Sequence, residues 1–266
     1  QDAKFENLPN YLEAWLKGEM KQPQGVSEID DQFFISRVRP LDRIKDGDYQ
    51  VRPEVKRDRK MCLWTPLDDP TSKWKALPRY CFEGDNFSLW SYIDIHGNWT
   101  SPWIRSTAGL TDVAHKNGVS VGCVMSIGYG AYVYLSQWRP DTYSKTLYKL
   151  TKKEGGKFVY AAPLVRMMKY YGVNGIGFNS EFRTSSDVMA TLTDFFVACH
   201  KEAEKINWKF EVHWYDGTGD DGSIHFDGGL GSHNQKIFGD KDNIATDMLF
   251  ANYNWGPSHL SGSVST

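Results

Sequence analysis

Residues 172–181 read Gly-Val-Asn-Gly-Ile-Gly-Phe-Asn-Ser-Glu. The opening glycine follows a run with helical spacing, Phe158 to Tyr171, as the end of a helix requires. An apolar run of strand length, Val173 to Phe178, comes next and ends in an amide and a carboxylate, Asn179 and Glu181. Strand side chains alternate, so these two polar groups point to the same side, about 7 Å apart along the chain. Helix, glycine, buried strand and polar end together make the repeating unit of a parallel sheet covered by helices.

The same unit recurs on both sides. Upstream, Gly109–Asn117 reads as a helix stopped by Gly118, and Val119–Ser126 as the strand after it. Downstream, Ser185–Ile206 reads as a long helix with a cap in Thr-Ser-Ser-Asp, followed by a strand over Phe210–Tyr215. Further short apolar runs lie at Met61–Trp64, Ser91–Ile95 and Met248–Tyr253. Before them, Pro9–Lys21 has helical spacing, Gln32–Val38 reads as a strand, and the charged stretch Asp42–Lys60 as a surface excursion. No Gly-x-Gly-x-x-Gly follows the first strand, which weighs against a dinucleotide-binding sheet. Polar residues gather at what read as strand carboxyl ends: Asp94 and His96, Asn179 and Glu181, Tyr215 and Asp216, Asn252 and Asn254. That is where barrel enzymes keep their chemistry. The expected fold class is therefore α/β, a (β/α)8 TIM-type barrel, with six strands countable before Thr266. Residues 1–58 are expected to form an N-terminal helix and strand segment packed on the barrel, and 59–266 the barrel itself.

Composition narrows the classes of function. Thirty-one basic against 33 acidic residues leave a net charge of −2, so no global field invites nucleic acid. No apolar run approaches the roughly 20 residues that a membrane-spanning helix needs. Aromatic residues make up 14% of the chain, many beside Gly, Asn and Asp, which suits either a well-packed core or a cleft that stacks sugars. The four cysteines, Cys62, Cys81, Cys123 and Cys199, form no Cys-x-x-Cys pair. Cys62 and Cys123 sit in apolar runs and read as buried free thiols. The opening Gln-Asp-Ala-Lys-Phe-Glu-Asn, without Met, reads as the mature end of an exported protein, secreted, periplasmic or at the cell surface.

A carboxyl in a partly dry cleft has its pKa raised, so Glu181 reads as a proton donor beside Asn179. The local pattern equally suits a rim pair that makes hydrogen bonds only. In the next strand Glu211, His213 and Tyr215 share one face, with Tyr215 at the mouth and the other two deeper, as a polar layer. His213, His225 and His259 with Asp216, Asp220 and Asp221 show no His-Glu-x-x-His pattern, and Asp-Gly-Thr-Gly-Asp-Asp-Gly lacks the calcium-loop spacing. That segment reads as a flexible loop over the cleft, and neither metal nor cofactor is called for.

Four motifs in order resemble glycoside hydrolase family 85, the endo-β-N-acetylglucosaminidases: Ala114-His115-Lys116-Asn117-Gly118-Val119, Asn179-Ser180-Glu181, Trp214-Tyr215-Asp216 and Phe250-Ala251-Asn252-Tyr253-Asn254-Trp255. The resemblance spans roughly residues 60 to 255. It implies cleavage of the chitobiose core of N-linked glycans, with a glycan or glycoprotein as partner. The substrate's own acetamide would act as nucleophile, in place of the second carboxylate of ordinary retaining glycosidases. It casts Glu181 as acid and base, Asn179 and Tyr215 as partners of the acetamide, and Trp255, Phe226, Asn252, Asp94 and His96 as substrate-binding residues. The chain departs from the family at Asn174-Gly175, where Asp-Gly is usual, and at Phe226-Asp227, where Trp-Gln is usual. These departures read as touching substrate binding more than proton transfer. Two other readings stand beside it. A family 18 chitinase-like enzyme would need acids at 174, 177 and 179, where Asn, Gly and Asn stand. A glycan-binding protein on a decayed barrel would bind without turnover.

Overall fold

A computed structural model describes residues 8–18, 34–43, 60–65, 87–99, 104–126 and 140–266. Its centre is a six-stranded, all-parallel sheet: β1 (Cys62–Thr65), β2 (Ile95–Trp99), β3 (Ser120–Ser126), β4 (Gly175–Asn179), β5 (Glu211–Tyr215) and β6 (Met248–Phe250). The strands lie side by side in chain order. Sequential parallel neighbours need a crossover each time, and α2 (Ala108–Lys116), α4 (Ala161–Tyr171) and α5 (Ser186–Lys205) supply three of them. Before α4 come α3 (Pro140–Leu150) and a small antiparallel hairpin at 153–158; a second hairpin spans 239–244. The chain starts with α1 (Leu8–Leu16) and closes with α6 (Pro257–Ser265).

The outer face of the sheet is the core. Ile176, Phe178, Val212 and Trp214 are sealed against α4 and α5. Helix α5 presents Val188, Met189, Leu192, Phe195, Phe196, Cys199 and Ala203 on one stripe, at the spacing of an amphipathic helix. Ser185 caps it by accepting a hydrogen bond from the Val188 N–H at 3.4 Å. Helix α4 ends where the sequence predicts, at Gly172 in the left-handed conformation with φ 79°.

The inner face is unlike this. Four of its positions, Gly97, Gly122, Gly175 and Gly177, carry no side chain, and two large rings occupy the space. A Cβ on Gly97 would stand 2.5 Å from Cδ1 of Trp64, and one on Gly177 would stand 2.4 Å from Cη2 of the same ring. A Cβ on Gly175 would stand 2.7 Å from Cε1 of His213. Trp64 belongs to the first strand, yet its ring centroid lies 3.6 Å from that of Phe250 in the last. The sheet is therefore curled, and its two outermost strands touch across the interior. Such closure of a parallel sheet around a side-chain-filled centre belongs to the expected barrel class.

Several boundaries differ from the sequence reading. The run Ser91–Ile95 is not a strand. Trp90–Tyr92 form a 3-10 turn, and the strand begins at Ile95, four residues later than expected. The expected strand Gln32–Val38 falls partly outside the described residues; Phe34 is in a 3-10 turn and 35–38 form no strand. Most of the expected N-terminal segment 1–58 also lies outside them. Its described helix α1 docks on α3 and α4, with Glu13 ion-paired to Lys149 at 2.9 Å and hydrogen-bonded by the Tyr160 hydroxyl. After β6, in place of a seventh strand, Pro257–Ser265 form the helix α6.

Candidate active site

The parallel register sets the site. Phe178 pairs with Trp214 and Phe250 with Tyr215, so Asn179 and Tyr215 end their strands at one level beside the end of β6. Two residues beyond β4 stands Glu181. It is an exposed residue whose carboxyl is nonetheless partly desolvated, and this raises its pKa above the ordinary carboxylate value. The Tyr215 phenol is pushed up to about 12, first by burial and then by the charges of Glu181, Tyr253 and Asp216. A phenol held protonated is a hydrogen-bond donor, and here it donates to Oδ1 of Asn252 at 2.8 Å. Asn179 is half-buried, facing the same interior as Tyr215.

A staple that sequence reasoning missed keeps Glu181 beside Tyr215. Ser180, wholly buried, donates its hydroxyl to the Tyr215 carbonyl at 2.5 Å. Thr218 returns the connection: its N–H and its hydroxyl both lie 2.6 Å from the Ser180 carbonyl. The same Oγ1 accepts from the Phe182 N–H at 3.1 Å. Residues 180–182 are thus pinned to residues 215–218 on both sides of the acid. The signal was present as a small hydroxyl residue inside Asn-Ser-Glu, but nothing local says where its hydrogen bond goes.

Asp216 does the same for the loops. It is 2% exposed, and its carboxylate accepts from the Gly228 N–H at 2.5 Å, Asn234 Nδ2 at 3.1 Å and the Asn252 N–H at 3.4 Å. One side chain therefore ties the loop that carries Phe226 to the loop that carries Asn252. Phe226 takes a left-handed backbone, φ 53°, and its ring lies 6.2 Å from that of Tyr215. Trp255 and Tyr253 stand on the rim, 53% and 95% exposed. The segment read as a flexible loop, residues 216–222, is hydrogen-bonded along its length: Thr218 bridges Ile224, the Gly217 carbonyl accepts from the His225 N–H, the Gly219 carbonyl from the Gly222 N–H, and the Gly222 carbonyl from the Thr184 N–H.

Asp94 and His96 are not brought to this site. Because β2 begins at Ile95, Asp94 lies at the strand's amino end, where it accepts from the Met61 N–H at 2.9 Å and faces Arg43 at 3.9 Å. His96 points outward and packs between Phe87 and Trp90, each ring 5.4 Å away. Burial depresses its pKa to about 4. Asn174 also belongs to the far end. Its amide oxygen meets His115 Nε2 at 3.0 Å and the Val121 N–H at 3.3 Å, so at this departure from the family pattern the side chain pins strands at the end of β4 opposite Asn179 and Glu181.

The chain is similar to several known proteins. The model of glycosyl hydrolase family 85 matches residues 73–266. The cytosolic endo-beta-N-acetylglucosaminidase of Gallus gallus is 28% identical over 184 residues, which is 65% of this chain and 22% of that protein. The enzyme of the same name from Danio rerio is 26% identical over 177 residues, 66% of this chain and 23% of that protein. The chain thus spans less than a quarter of the length of these relatives. The crystal structure of a glycoside hydrolase domain, Endo-D of Streptococcus pneumoniae R6, superposes with a TM-score of 0.65 at 20% identity, covering 100% of this chain and 39% of that one. The fold is that TIM-barrel type. The expectation of an exported protein is overturned, since both vertebrate relatives are named as cytosolic. Cys62 is half-buried, Cys123 and Cys199 are buried, and Cys81 lies outside the described residues. No helix among the described residues is long and apolar enough to cross a membrane.

Proposed function

The chain belongs to glycosyl hydrolase family 85, and from that premise we propose that it is the catalytic part of an endo-β-N-acetylglucosaminidase that hydrolyses the GlcNAc-β1,4-GlcNAc core of N-linked glycans with retention. The observation that carries this is the shared rim of Asn179, Glu181 and Tyr215, with the acid's pKa raised and its backbone pinned to that of the phenol.

The chemistry needs no second protein carboxylate. The acetamide oxygen of the sugar attacks the anomeric carbon as the glycosidic bond breaks. Glu181 delivers its proton to the departing oxygen. Asn179 orients the acetamide, and the Tyr215 hydroxyl hydrogen-bonds to the same group, stabilising the charge that develops as the oxazoline ring closes. Glu181, now ionised, takes a proton from the water that opens the ring. Two inversions at one carbon give retention. Phe226 and Trp255 offer flat faces for sugar rings, and Asn252 positions Tyr215. Of residues 1–58, helix α1 packs on α3 and α4, while Ser36, Leu41 and Arg43 hydrogen-bond to Asp112, His115 and Asn117 in and just after α2.

Mass analysis of a defined N-glycoprotein tests the reading. The expected product is a protein retaining one GlcNAc, with Glu181→Gln releasing none. Tight glycan binding without release by the unaltered chain would place it with the non-catalytic binders instead.

A further inference from the structure

Outside the rim, one side-chain cluster has a use that the proposed hydrolysis does not give it. His225, Asp227 and His233 each offer one ligand atom, and these atoms lie within 4.8 Å of one another. The two imidazoles stack with centroids 4.0 Å apart and an interplanar angle of 11°. His233 Nδ1 is 3.0 Å from an Asp227 carboxylate oxygen, and His225 Nε2 is 2.9 Å from Oδ1 of Asp221. We propose that His225, Asp227 and His233 form a binding site for a divalent transition-metal ion of the Zn²⁺ class.

The backbone is built for this convergence. Between His225 and Asp227 stands Phe226 in the left-handed conformation, which turns its two neighbours toward His233 while its own ring goes to Tyr215. Gly219 makes room: a Cβ there would stand 2.7 Å from Cδ2 of His225 and 2.5 Å from the His233 carbonyl. That carbonyl accepts the Asp220 N–H, and the Asp220 carboxylate accepts the N–H groups of Lys236 and Ile237, so the turn bearing His233 is anchored. Both donor residues therefore rest on hydrogen-bonded backbone.

The donor set selects the metal class. Two imidazole nitrogens and one carboxylate oxygen suit Zn²⁺, with water completing four-coordination from the exposed side. Ca²⁺ and Mg²⁺ want six or more oxygens and disfavour imidazole. Asp221 supplies the carboxylate partner that commonly orients a metal-bound imidazole. An ion held here would clip residue 225 to residue 233 across the loop and fix the ring of Phe226 between them. The site is structural, because its ligands belong to the covering loop and Asn179, Glu181 and Tyr215 are not among them.

Calorimetric titration of Zn²⁺ into the full chain, stripped beforehand with a chelator, tests this directly. The expected result is one saturable site per chain, no heat from Ca²⁺, and a visible spectrum of nitrogen- and oxygen-ligated Co²⁺ when cobalt replaces zinc. His233 is exposed, so His233→Ala preserves the fold, and it should weaken binding at least about tenfold. The proposal is overturned if the unaltered chain shows no saturable Zn²⁺ binding. It is equally overturned if the double variant His225→Ala, His233→Ala binds at undiminished strength, which would put the ion elsewhere. Neither readout depends on glycan release, so the site and the proposed hydrolysis stand or fall separately.

Discussion

In the proposed reaction Glu181 must be neutral to give a proton and ionised to take one back, and its partial desolvation at an exposed position serves both. Burial raises its pKa, so it keeps its proton to higher pH than an ordinary carboxylate, and its exposure lets water reach it. In the proposed reaction kcat/KM falls as pH climbs through that raised pKa, and a pH–rate profile should place the alkaline limb above the ordinary glutamate range. Stability gives a second check with the same origin. A carboxyl raised in the folded state opposes folding once it ionises, so Glu181→Gln should match the parent in Tm at acid pH and exceed it at neutral pH. In the proposed reaction Tyr215 donates to the acetamide where charge develops. Removing that one donor with Tyr215→Phe is expected to lower kcat about 10- to 100-fold with little change in KM, measured on a chromogenic GlcNAc-GlcNAc substrate. An equal loss in Tm and in kcat would instead mark the hydroxyl as merely structural, through Asn252.

At the scale of elements, the sequence declared its helices through their ends and its strands through their apolar runs. Gly118, Gly172 and Ser185 act where they were read, because a left-handed stop or an oxygen cap is a local requirement. The polar ends of β4 and β5 were legible too, since alternation fixes which side chains share a face. Ser91–Ile95 was misread for an equally physical reason: Trp90 and Ile93 are buried apolar residues, but they pack a 3-10 turn against the outer core, and periodicity alone cannot tell this from a strand. The slip moved Asp94 and His96 to the wrong end. Nor could spacing reveal the Ser180–Thr218 staple or the Asp216 clamp, whose partners are up to 38 residues apart. The staple makes its own prediction. Thr218→Val keeps the shape but loses the hydroxyl contacts to the Ser180 carbonyl and to the Phe182 carbonyl and N–H. It should cost about 1–3 kcal/mol in urea unfolding and lower kcat/KM more than Tm alone explains, because one arm of the staple that holds residues 180–182 is lost while the Ser180 hydroxyl and the Thr218 N–H keep theirs.

Taken whole, the curled sheet stacks three zones along its inner face. At the mouth lie Asn179, Tyr215 and Glu181. In the middle Trp64 and His213 fill the space left by glycines, and Gly177→Ala should destabilise by about 1–3 kcal/mol because a new methyl would overlap the Trp64 ring. At the floor Glu211, 3% exposed, meets Lys60 at 2.8 Å and Lys209 at 3.5 Å. Burial alone would raise the Glu211 pKa, but the contacts with His213, Lys209 and Lys60 outweigh it and hold the carboxyl far below its usual range. A depressed carboxylate stabilises the fold at every pH above its unfolded value, and that support drains away as the solution is acidified toward the folded pKa. Floor and mouth thus titrate in opposite directions: acid weakens the floor, alkali disarms the mouth. Glu211→Gln should therefore lose about 1–3 kcal/mol at neutral pH, less than a wholly buried pair would because both lysines reach water. The deficit should shrink as pH falls, while the alkaline limb of the pH–rate profile stays where Glu181 sets it. A limb that moves with Glu211 would mean the two carboxyls are coupled through the barrel, against the roughly 7 Å per two residues that separates floor, middle and mouth along β5.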